Sequence, residues 1–237
     1  MSSFFNERIS PEHYARELLH EFNFNSLPIP VEEICEQLGI MLYFLPGLSC
    51  ESMIGARNSK TVILVDENVK NTERIRFSIA HELGHYKIPS HLKNVYKCTQ
   101  EDLYHYSPVK AVEMEANRFA GELLMPSKFF ESDVRGLPLS LNNIISLANK
   151  YGTSVISTAI KYIKTTDDLG AIVLSKDKKI SWLPVTLIWT RITFSVTLNW
   201  TQIFPLGRKE FSSTYRISSA NEGCEEISVV ALGQRCD

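Results

Sequence analysis

Helical spacing of apolar positions dominates the chain up to about residue 165, and strict alternation replaces it beyond. Ser10-Pro11-Glu12 has the form of a helix start, a serine cap followed by proline in the first turn, and Tyr14, Leu18, Leu19 and Phe22 then recur on one face. After Pro28 and Pro30 the spacing predicts a second short helix from Val31, stopped at Gly39, and a strand over Ile40 to Phe44. Thr61 to Val65 is β-branched and apolar on both faces, so a covered strand is expected there.

A longer helix is expected from Asn71 or Thr72 to about Lys87, ended by Pro89. A polar and aromatic loop, residues 90–107, leads to another helix from about Pro108 to Met125, which Pro126 closes. Two shorter helices, from Leu139 to Tyr151 and from Ser154 to Lys164, are joined through Gly152. In the tail, Ile192, Phe194, Val196, Leu198 and Trp200 alternate with polar residues, the period of a strand with one buried face. With Ala171 to Leu174 and Ile227 to Leu232, this predicts a small β-rich region.

Composition narrows the classes. A hydrophobic fraction of 44% and a charged fraction of 22% are those of an ordinary globular protein and exclude a disordered chain. A net charge of −2 gives no general attraction to nucleic acid or to an anionic membrane. The most apolar window, Ile180 to Phe204, is interrupted by Pro184, Arg191 and Asn199 and does not read as a membrane helix. Five scattered cysteines without a Cys-x-x-Cys pair suggest free thiols in a reducing cytoplasm, and the first residues carry no pattern of a secretory signal.

The chemistry is concentrated in His81-Glu82-Leu83-Gly84-His85. Two imidazoles one helical turn apart point to a common spot and can grip a zinc ion. Glu82 projects beside that spot, where its carboxylate can take a proton from water activated by the metal. A catalytic zinc needs a third protein ligand and an open position. In the downstream helix Glu113 shares a stripe with Ala116, Asn117, Ala120, Leu123 and Leu124, whereas Glu115 shares one with Arg118 and Glu122. Glu113 is therefore expected to face the core and Glu115 to face water. A carboxylate on an apolar stripe needs a partner, and a divalent cation is a strong one. Asn117, one turn on, could accept the free ring N–H of a ligating histidine. The small Ala116 and Ala120 would let the two helices approach closely. His91 and His105, with Tyr86, Tyr96, Tyr104 and Tyr106, lie in or beside the following loop, with no basis for choosing among them as oxyanion stabilisers. His13 and His20 are expected on the solvent side of the first helix.

The block from Arg76 to His85, and Glu113-Met-Glu-Ala-Asn-Arg-Phe-Ala-Gly-Glu-Leu-Leu-Met-Pro126, resemble the two signature blocks of the ImmA/IrrE metallopeptidase family. Pro28 to Ile40 and Ile145 to Ser154 resemble further segments of it, so the likeness spans about residues 10–165. The resemblance implies an α+β fold. Residues 1–135 would form a zincin-like core and 136–166 a helix pair packing on it, while 167–237, outside the likeness, is the small β-rich region that the alternation predicts. It implies a cytoplasmic zinc peptidase that relieves repression by acting on a helix-turn-helix repressor, with His81, His85 and Glu113 as ligands and Glu82 as base. Neither direct nucleic-acid binding nor a membrane partner is expected.

Two other classes remain in view. Ile144 to Ile163 can be read as a DNA-binding helix-turn-helix, but its second helix offers only Lys161 and Lys164 as cations, few for phosphate contacts. Alternatively the metal is structural and a repressor is sequestered rather than cut; a base at position 82 has no use in that case.

Overall fold

The computed structural model describes residues 9–57, 60–91, 108–166, 170–176, 179–182, 185–186, 213–218 and 224–231. Among these the chain forms seven α-helices and two separate sheets, an α+β arrangement. By contacts it divides into two compact units, Met1–Ser127 with Lys150–Thr153, and Lys128–Asn149 with Ser154–Asp237. No described helix is long and apolar enough to cross a membrane.

In the first unit, α1 (Pro11–Glu21) begins where the Ser10 hydroxyl accepts from the His13 amide, and it buries Ala15, Leu18 and Leu19. Its His13 and His20 are exposed, as their place on the polar stripe requires. The short α2 (Val31–Gln37) buries Val31, Ile34 and Cys35 and gives way at Gly39, whose φ of +69° is costly for any residue with a Cβ. Burial pushes the Cys35 thiol up to about 12, leaving it an unreactive core residue.

Three strands follow: β1 (Met41–Leu45), β2 (Ser52–Arg57) and β3 (Lys60–Asp66). The covered strand β3 lies at the centre, with β1 parallel on one side and β2 antiparallel on the other. The hydrophobic pattern did not foretell β2: Ser52, Gly55 and Ala56 dilute its alternation, and cross-strand pairing to β3 makes it a strand.

Helix α3 (Thr72–Lys87) starts at Asn71, whose side chain accepts from the Arg74 amide at 2.8 Å. It contributes Ile79, Ala80 and Leu83 to a core shared with α1, α2 and β3. Arg76, also buried, donates to the carbonyls of Ile29 (2.8 Å) and Gly152 (3.1 Å), tying two distant segments to this helix. α4 (Pro108–Leu124) packs along α3 and adds Phe119, Ala120, Leu123 and Leu124 to the same core.

The second unit holds α5 (Ser127–Val134, from its second residue on), α6 (Leu141–Tyr151, up to Asn149) and α7 (Val155–Thr165). Sequence reading treated Pro126 only as a stop, yet proline just before a helix also favours its start. The Glu122 carboxylate completes the α5 start by accepting from the Ser127 amide (3.0 Å) and hydroxyl (2.6 Å). Tyr162 of α7 is fully buried and donates to the Leu137 carbonyl. The described residues beyond α7 form an antiparallel sheet of β4 (Gly170–Lys176), β5 (Lys179–Trp182), β6 (Val185–Thr186), β7 (Ser213–Ser218) and β8 (Cys224–Ala231). Its central pairing sets Leu174 opposite Ile227 and Ala171 opposite Val230, which joins the two apolar segments expected in the tail. The alternating segment from Arg191 to Thr201 lies outside the described residues.

Candidate metal centre

The face of α3 that carries the histidines is turned inward, with His81, Glu82 and His85 all buried. Gly84 lies on the side that meets α4. A Cβ there would lie 3.1 Å from the Phe119 ring and 3.2 Å from the Ala116 Cα, so the glycine and the alanine together allow the helices to approach. The approach brings Glu113, 4% exposed, against both imidazoles. Its Oε2 lies 3.0 Å from His81 Nε2, its Oε1 3.5 Å from His85 Nε2, and the two Nε2 atoms are 3.0 Å apart.

These separations suit a cation. Donors bound about 2.0–2.1 Å from zinc at tetrahedral angles stand about 3.3 Å from one another. Among the described residues His81, His85 and Glu113 are the group of donors able to hold a metal ion, with ligand atoms all within 4.8 Å. Two ring lone pairs and a carboxylate converging at these distances repel one another unless positive charge lies between them. The same demand appears in protonation. Burial alone would lower the His81 imidazole, but the Glu113 hydrogen bond and the Glu82 and Glu113 charges outweigh it and hold it above its ordinary value.

Behind the donors lies a second layer. His81 Nδ1 is 2.9 Å from Asn117 Oδ1, so an Nδ1–H donated to the amide leaves Nε2 free to face the cluster. His85 Nδ1 is 3.2 Å from His91 Nδ1, and His91 Nε2 is 3.1 Å from Glu115 Oε2. The expectation that Glu115 faces water is therefore wrong: its side chain is 16% exposed and it is paired with a buried histidine. Periodicity within α4 could not reveal this, because the partner arrives from the 3-10 turn Pro89–His91 that follows α3. Glu122, placed on the same polar stripe, is buried as well, in its role at the start of α5.

Glu82 is met from the opposite side. Ser52 of β2 donates its hydroxyl to Glu82 Oε1 at 2.6 Å, while Glu82 Oε2 is buried with no hydrogen-bond partner among the described residues. Burial pushes this carboxyl above its ordinary range, against the lowering effect of His81, the Ser52 hydroxyl and His85. A carboxyl whose proton affinity is raised by burial is better suited to take up a proton than an ordinary, solvated one. Ser52 was not foreseen; a lone serine thirty positions from the motif carries no spacing signal. His91 was in view, though without the geometry that singles it out. Tyr86 is half-buried, and His105, Tyr96, Tyr104 and Tyr106 lie outside the described residues.

Residues 35–161, just over half of the chain, match the family Peptidase_M78, described as the IrrE N-terminal-like domain. The chain belongs to this family. The matched span contains His81, His85, Glu113, Glu82 and Ser52, so the IrrE-like segment contains the candidate metal centre. No curated protein matches the sequence. Among solved structures, a Mycobacterium tuberculosis transcriptional regulator shares the IrrE-like chain's fold with a TM-score of 0.56 at 15% identity, over 93% of this chain and 76% of that one.

Proposed function

We propose that this protein is a cytoplasmic zinc-dependent metallopeptidase that cuts a regulatory protein, a helix-turn-helix transcriptional repressor, and so relieves repression. The observation that carries the reading is the pairing of a buried three-donor cluster with a buried carboxylate one residue away. His81, His85 and Glu113 would hold the zinc, and Asn117 would fix the ring of His81. Bound there, zinc supplies a Lewis acid that polarises the peptide carbonyl and acidifies water.

Glu82 does the proton work. With Oε1 held by Ser52, its Oε2 takes a proton from the attacking water as the C–O bond forms at the peptide carbon. The same oxygen returns the proton to the amide nitrogen as the C–N bond breaks, giving a carboxylic acid and an amine. A structural metal site would have no use for such a group. Membership of a peptidase family and the absence of excess positive charge also favour this reading over direct DNA binding.

The test is incubation of the zinc-loaded protein with candidate helix-turn-helix repressors from the same source. The proposal expects discrete cleavage that a chelator stops and zinc restores, and that Glu82→Gln abolishes while still retaining zinc. An intact repressor, held in a complex by both wild type and Glu82→Gln with the metal in place, would replace cutting by sequestration.

A further inference from the structure

The two imidazoles of the cluster are supported unequally. His81 leans on a neutral amide, whereas His85 stands at the head of a chain that runs through His91 to a carboxylate. A single arrangement of protons makes the second chain self-consistent. With His85 Nε2 turned to the cluster as a lone pair, Nδ1 carries the hydrogen and donates to His91 Nδ1. The hydrogen of His91 then sits on Nε2 and is donated to Glu115 Oε2. Every ring nitrogen is used.

The location is built rather than incidental. His91 is 1% exposed, and its amide donates to the Ile88 carbonyl at 3.0 Å, so the turn that ends α3 folds the ring back beneath His85. Glu115 reaches it from α4, two residues beyond Glu113 and one turn from Arg118. A buried imidazole is costly unless its polar atoms are satisfied, and both of these are.

We propose that His91 and Glu115 are positioning residues that orient His85 and raise its donor strength toward a divalent cation. The inference rests on the reading of His81, His85 and Glu113 as metal donors. Through His91, the Glu115 charge draws on the Nδ1 hydrogen of His85 and increases electron density at Nε2, the atom that faces the cluster. The same chain prevents the ring from rotating its nitrogen out of line.

The test is zinc affinity, measured by competition with a chromogenic chelator, for wild type, His91→Phe, His91→Asn and Glu115→Gln. Far-UV circular dichroism and melting of the metal-free proteins report folding separately. His91→Phe keeps the ring's bulk and removes the acceptor, and should weaken zinc binding by about 10–100-fold. In His91→Asn the amide oxygen can replace Nδ1 as acceptor, so most of the affinity should return. Glu115→Gln, which keeps an acceptor but loses the charge, should weaken zinc several-fold. Should His91→Phe fail to fold, Glu115→Gln decides the matter. Folded His91→Phe and Glu115→Gln proteins that bind zinc as tightly as wild type would overturn the relay while leaving the donor assignment intact. A wild type that binds no zinc would instead remove the donor assignment, and the relay with it.

Discussion

Helix α3 is approached from two sides, by α4 and by β2, and the two sides contribute different things. From α4 come a carboxylate donor, Glu113, and the amide that steadies His81. From β2 comes one hydroxyl, on Glu82. The α4 side defines where a cation can be held; the β2 side sets which oxygen of the neighbouring carboxylate remains available. On the proposed reading, holding a metal and using it fall to separate elements of the fold, and substitutions on the two sides should fail in different ways.

The largest effect is expected on the α4 side. Glu113→Ala should release zinc on dialysis and reduce hydrolysis to background, since two imidazoles alone leave the centre without its charged donor; metal analysis and a cleavage assay together read both losses. Asn117→Ala should keep hydrolysis per bound zinc but lower zinc affinity by about 10-fold or more, seen by chelator competition. Ser52→Ala should do the reverse. Zinc affinity stays within error, while kcat falls by about 10-fold, the consequence of losing a charge-assisted hydrogen bond of roughly 1.5 kcal/mol at the reacting carboxylate. A fall in zinc affinity in Ser52→Ala would erase the division between the two sides. The smallest change concerns the approach of the helices themselves. Gly84→Ala places a methyl group 3.1–3.2 Å from Phe119 and Ala116 and should destabilise the fold by about 1–2 kcal/mol in thermal unfolding, with the donors still present.

The same contrast accounts for what was legible beforehand. His81, His85, Glu113 and Asn117 sit on two regular helices, where a period of 3.6 residues converts position into direction, and their meeting could be anticipated from spacing and from a family resemblance. The cap at Ser10, the stop at Gly39 and, to within a residue, the start of α3 were equally local and equally readable. Ser52 and the His91–Glu115 pair are products of tertiary folding. Strand β2 owes its form to pairing with β3, and His91 owes its position to the turn after α3, so nothing within a window of sequence marks either. Glu115 shows the limit most plainly, since its helical stripe pointed to solvent and a histidine from another segment covers it. Helix α5 was missed for a related reason, its start being completed by Glu122 of the preceding helix.

Zinc K-edge X-ray absorption on the loaded wild-type protein tests the central claim most directly. The account predicts a shell of about four nitrogen and oxygen donors at about 2.0–2.1 Å, with the outer scattering of two imidazoles. A sulfur donor at about 2.3 Å, or a shell lacking either imidazole, would contradict it.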